Sequence, residues 1–174
     1  MNSLDLYAYL DDMRKLVDVA IATWKHTKNS DPIFTVSIWT DPDACVSAIS
    51  IDTRSNSERC LKEANEWSKK HYDRLMAAGE TAEAELFLPA VGRAWNPADF
   101  EFSELESAEH TCFPRNWAEI SDGTCWEQLE PALADVAQYA IARFADLNTE
   151  KGAVLGINSH RDWIDKTWEL SIHG

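Results

Sequence analysis

Few residues in this chain combine the right type with the right spacing to do chemistry. His160-Arg161-Asp162 spells the catalytic-loop triplet of protein kinases. That triplet works only alongside a glycine-rich loop, a DFG metal ligand and a metal-binding asparagine at fixed spacing. None of these is present, which argues against a kinase. Ser159, His160 and Asp162 are neighbours in sequence, whereas a Ser-His-Asp triad must converge from separate elements. There is no G-x-S-x-G elbow, dinucleotide fingerprint or P-loop, and six glycines leave little material for a phosphate-cradling loop. Asp41 and Asp43 flank Pro42, where Asx hydrogen bonds to turn backbone are a simpler role than metal binding. His110, Cys112 and Cys125 offer zinc-type donors in an H-x-C…C order, but without the paired-ligand spacing of a zinc site. The expectation is therefore no catalytic residue, no metal and no cofactor.

The remaining histidines and cysteines read as structural. His71 falls on the apolar side of a helical stretch, and His26 sits at a helix end, where a cation suits the dipole. Cys45, Cys60, Cys112 and Cys125 include no CxxC pair. With no basic-then-apolar leader at the start of the chain and no apolar run of membrane-spanning length, they read as reduced thiols of a cytoplasmic protein.

The charge map is more informative. The 174 residues carry a formal net charge of −14, with a pI near 4.6. Nucleic acids and anionic membranes select basic surfaces, so neither is expected as a partner. The acidity is local. Residues 80–130 hold twelve acids against only Arg93 and Arg115, which is −10 of the −14. The same stretch carries Trp95, Phe100, Phe102, Phe113 and Trp117. Aromatic anchors inside an acidic field suit the docking of a basic protein. The residues assigned to such a surface are Trp95, Asp99, Phe100, Glu101, Glu104, Glu106, Glu109 and Trp117.

The elements that must position these groups follow from periodicity. Leu6, Leu10, Met13, Val17, Ala20, Ile21 and Trp24 recur at steps of three and four, which predicts a first helix capped by Asn2 or Ser3 and ending near Lys28. Ile33 to Trp39 alternates with period two, and Cys45 to Ile51 follows at hairpin distance, so an antiparallel pair is expected. A second helix is expected from Ser55, with Ser55 and Glu58 in capping-box spacing. Its apolar face would hold Cys60, Leu61, Ala64, Trp67, His71 and Leu75, and Gly79 would stop it. Ala84 to Leu88 suggests a short strand. Residues 80–123 otherwise read as an irregular, acidic, aromatic-rich segment, long enough to carry function. A third helix is expected from Thr124, with Thr124 and Glu127 as a second capping box and Pro131 either kinking it or delaying its start. Ala153 to Ile157 reads as one more strand, and Asn158 to Gly174 as a last helix or packed tail. One α+β domain over residues 1–174 is predicted, its small, mainly antiparallel sheet covered by helices chiefly on one face.

Two short motifs carry a resemblance. Ile38-Trp39-Thr40-Asp41 closes the first strand, and Trp95-Asn96-Pro97-Ala98-Asp99-Phe100 follows the second helix. This order resembles an uncharacterised bacterial domain-of-unknown-function family, with its aromatic-Thr-Asp strand end and W-x-P-x-acid-aromatic motif. Such small acidic domains in turn resemble immunity proteins of bacterial toxin systems, including the SUKH-type group. The resemblance carries no catalytic residues. The reading it favours is a non-enzymatic, protein-binding bacterial domain that neutralises a basic toxin domain through its acidic surface. The alternatives are a hydrolase-like enzyme with a cleft in the irregular segment, or a homo-oligomeric structural subunit.

Overall fold

The computed structural model describes residues 4–27 and 29–170. The caps expected at Asn2 or Ser3, the helix stop expected near Lys28 and the end of the C-terminal segment at 171–174 lie outside the described residues. Helix α1 spans Leu6–His26, and Asp5 caps it, its carboxylate accepting from the Ala8 N–H at 3.1 Å. Tyr9, Met13, Leu16, Val17, Ala20, Ile21 and Trp24 are its buried face, whereas Leu6 is exposed.

Strands β1 (Ile33–Asp41) and β2 (Val46–Thr53) form the expected antiparallel hairpin, with Ile38 opposite Ile49 and Val36 opposite Ile51. Strand β4 (Thr149–Ile157) runs parallel to β1, and β5 (Lys166–Glu169) pairs antiparallel with β4. Strand β3 (Phe102–Glu109) pairs antiparallel with the outer side of β2. The five-stranded order is β3-β2-β1-β4-β5, so β3 and β5 are the edges. This is the expected α+β class with a mostly antiparallel sheet.

One sheet face carries the core. Val36, Ile38, Ile49, Ile51, Leu155 and Ile157 are buried beneath α1 and helix α5 (Trp126–Phe144). Burying a side chain of this size is worth about 2 kcal/mol, so this face dominates the stabilisation. The two helices are also tied to each other, with Tyr139 Oη and Arg143 Nε both donating to the Asp18 carboxylate at 2.9 Å.

The opposite face is polar yet buried. Thr35 stands opposite Asp52 and Ser37 opposite Ser50, and all four are inaccessible. Arg93 crosses it, donating to the Phe34 carbonyl, the Thr35 hydroxyl and the Gly152 carbonyl at 2.8–3.0 Å. The Arg93 and Arg54 guanidiniums both stand over the Phe34 ring, at 4.0 and 4.2 Å.

Several expected details are corrected. Helix α2 (Arg54–Ala78) is capped by Thr53, not by a Ser55–Glu58 box. Its apolar stripe does not face the sheet: only Asn56, Ser57 and Leu75 are buried, and Trp67 is 56% exposed, packing on His71 and Phe87. Residues 84–88 are not a strand. They complete a short helix α3 (Thr81–Ala84) and a 3-10 turn (Glu85–Phe87). The 80–123 segment is not irregular throughout, because it contains β3 and a short helix α4 (Trp117–Ile120). Helix α5 starts at Trp126 and runs through Pro131, and its N-terminus has no side-chain cap because the Thr124 hydroxyl donates to the Ser121 carbonyl instead. The C-terminal segment supplies β5, not a helix. Among the described residues, no helix is long and apolar enough to cross a membrane.

Candidate functional site

The acidic segment resolves into a sheet edge. In β3, Glu104 and Glu109 are exposed, as are Asp99 and Glu101 on the approach to it. The strand is bulged, its register slipping between Ile49 and Ile51 of β2. Glu104 has φ of +48° there and donates its N–H to the Ser50 hydroxyl at 3.0 Å. Bulges of this kind bend an edge and re-aim its side chains. Glu106, opposite Ile49, lies on the α1 side and accepts from the Thr23 hydroxyl at 2.5 Å. Glu101 accepts from the Thr53 hydroxyl, the residue that also caps α2. Its neighbours β2 and α1 therefore hold the acidic strand, β2 at one edge and α1 on one face.

Not all of the expected surface residues are on the surface. Phe100 and Trp117 are buried, at 4% and 5% exposure, so neither is an exposed anchor. Trp117 packs on Phe113 inside the core, with ring centres 5.6 Å apart. Phe100 closes a 3-10 turn (Pro97–Asp99) that Asn96 caps by accepting from the Ala98 N–H and donating to Asp99. The W-x-P-x-acid-aromatic motif is thus a capped turn pinned to α2, where Asn56 donates to the Asp99 carbonyl and Ser57 accepts from the Ala94 N–H. Trp95 remains 44% exposed, beside the Arg93 guanidinium.

A second feature lies away from the acidic edge. An open crevice of about 430 Å³ sits beyond the carboxyl ends of the parallel strands β1 and β4, where α/β sheets commonly take ligands. Trp39, Trp126, His160 and Trp163 line it, with Trp39 and Trp163 edge to face at 6.2 Å. Asn158 closes its floor by bonding both the N–H and the carbonyl of Thr40. Two of the three carboxylates on its wall, Asp41 and Asp43, are already engaged. Asp41 accepts from the Asp43 and Ala44 N–H groups, the expected Asx arrangement, and Asp43 accepts from the Ala118 and Glu119 N–H groups at the start of α4. The His160-Arg161-Asp162 triplet is the exposed tip of a turn whose N–H groups bond the Ser159 hydroxyl.

Sequence reasoning missed a third arrangement. Beneath α1, the Tyr9, Thr40 and Ser47 hydroxyls and His110 Nε2 form a continuous buried chain with spacings of 2.8, 2.6 and 2.8 Å. Beyond the imidazole, His110 Nδ1 faces Asp12 Oδ2 at 3.5 Å. This is the connectivity of an Asp-His-Ser triad, but Ser47 has no exposed surface, so no substrate reaches its hydroxyl. Burial holds the His110 pKa down, partly offset by Asp12, and pushes the Tyr9 pKa well above its ordinary value. No sequence signal links these residues. Comparison with protein-family models, curated proteins and solved structures finds no match to the chain.

Proposed function

We propose that this chain is a non-enzymatic protein-binding domain whose acidic β3 edge accepts a basic, extended segment of a partner. The observation that carries this reading is that the most acidic part of the sequence forms an edge strand, with Glu104 and Glu109 exposed along it. An edge strand offers unpaired backbone groups to an added strand. Acidic side chains beside them repel a second copy of the same edge and attract a basic one. In its concrete form the reading is an immunity-type protein that neutralises a basic toxin domain, with nucleic acid and membranes excluded by the same negative field. Pull-down of the partner with Glu101, Glu104 and Glu109 neutralised together tests it. Loss of capture at low salt supports the reading, and unchanged capture ends it.

A second reading rests on the crevice at the ends of β1 and β4. Its three tryptophans and His160 favour a small aromatic or apolar ligand. Protection of Trp39 and Trp163 fluorescence by such a ligand, with the β3 edge variants behaving as wild type, would favour it over the edge.

A further inference from the structure

We propose that Asp12, His110 and Cys112 form a binding site for one zinc-class divalent cation that pins α1 to the end of β3. One oxygen of Asp12, one ring nitrogen of His110 and the Cys112 sulfur all lie within 4.8 Å of one another. Asp12 comes from α1, far in sequence from His110 and Cys112, and meets them where α1 crosses the strand edge. His110 has 3% exposed surface, yet its Nδ1 has no hydrogen-bond partner among the described residues. The facing Asp12 oxygen is 3.5 Å away, too far for a normal hydrogen bond. A buried nitrogen left unpaired is destabilising, and a cation between the nitrogen and the carboxylate removes that cost.

The distances suit a metal better than a direct contact. Tetrahedral zinc with bonds of about 2.0 Å to nitrogen and oxygen places those two atoms roughly 3.3 Å apart, close to the 3.5 Å observed. The sulfur closes the remaining gap by a rotation of Cys112, which is only half-buried. The other imidazole nitrogen is held by the Ser47 hydroxyl at 2.8 Å. When Nε2 carries the proton and donates to Ser47, the Nδ1 lone pair points at the site, which is how metal-bound histidines are usually oriented. Lys15 is not a competing cation for the Asp12 oxygen that faces His110. Its ammonium sits 2.6 Å from Asp11 and 3.9 Å from the other Asp12 oxygen. An open groove lined by Lys15, Glu106 and Glu109 borders the cluster on its Asp12 side.

A mixed nitrogen, sulfur and carboxylate set selects a borderline ion such as zinc over calcium or magnesium. On binding, the Cys112 thiol releases its proton to solvent, sulfur forms the third bond, and the fourth position is left to water. The site is independent of the edge-docking reading, since Glu104 and Glu109 are not among its ligands.

Cobalt(II) titration of the metal-stripped full chain tests the proposal. One equivalent should produce a thiolate-to-cobalt absorption band and tetrahedral visible bands, both displaced by zinc, and zinc should raise the melting temperature. C112S should abolish the thiolate band. S47A, which frees the far imidazole nitrogen, should weaken zinc binding by about 10–100-fold. A wild-type chain with no thiolate band overturns the proposal whatever the variants do. So does zinc binding unaltered in a folded C112S chain.

Discussion

Thr23 on α1 donates its hydroxyl to Glu106 on β3 at 2.5 Å, and the two residues are 83 positions apart. The middle acid of the edge strand is therefore spent on holding the helix against the sheet, while Glu104 and Glu109 stay in solvent. Glu106→Gln or Thr23→Val should lower stability by about 1.5–3 kcal/mol, the worth of a hydrogen bond to a charged group. Neither should change partner capture. Chemical denaturation alongside the pull-down separates the two effects. A loss of capture without loss of stability in Glu106→Gln would place that side chain on the binding surface.

The buried hydroxyl chain makes Ser47 a sensitive position. Ser47→Ala removes the group that joins Thr40 to His110, both of them inaccessible. Leaving buried polar groups without partners should cost about 1–3 kcal/mol, read as a shift in the urea midpoint at constant slope. A neutral effect would mean that water or a rotated Thr40 replaces the bond.

This part of the molecule also shows what the sequence makes legible. The faces of α1 and α5 and the β1–β2 hairpin are readable because each buries one side against one core, so its period survives. Strand β3 is not. Its half-buried residues are Phe102, Leu105, Glu106 and Ala108; the bulge between 102 and 106 breaks the alternation, and Glu106 faces inward toward the Thr23 hydroxyl. The acidic surface is visible in the composition, but that Glu106 turns inward is decided by Thr23, far away in sequence. Phe100 and Trp117 look like surface anchors only until a capped turn and the core claim them. The Asp12–His110 pair has no local signature, because only the crossing of α1 over the sheet brings it together.

Asp52 gives the fold a pH dependence. It is inaccessible, its Oδ1 accepts from the Asn56 side chain and the Glu101 N–H, and its Oδ2 has no partner among the described residues. Burial raises its pKa above the ordinary carboxylate value, and those hydrogen bonds offset the shift only in part. The folded chain thus holds this proton more tightly than the unfolded one. The associated stability is present below the ordinary carboxylate pKa and is lost as pH rises through the raised folded value. Unfolding free energies across the acid range should show that decline in the wild type and lack it in Asp52→Asn. The same slope in both would assign it to other groups.

Gly156 is opposite Thr167 on β5, and a Cβ there would fall 2.5 Å from Ile164 Cγ2. Gly156→Ala should therefore destabilise by about 1–3 kcal/mol through overpacking. Adding Ile164→Ala should return part of that loss. Thermal unfolding of the two single variants and the double variant reads the coupling, and strictly additive losses would show that the loop shifts freely.

The acidic edge is tested most directly by amide shift mapping of the labelled chain. The titrant is a strand-forming peptide of alternating lysine and valine, added at low salt and again near 0.15 M, where screening reaches about 8 Å. The account predicts perturbations concentrated in 102–109, weakened by salt, and lost when Glu104 and Glu109 are both changed to Gln. Perturbations centred instead on Trp39, His160 and Trp163, or unchanged in the double variant, would contradict it.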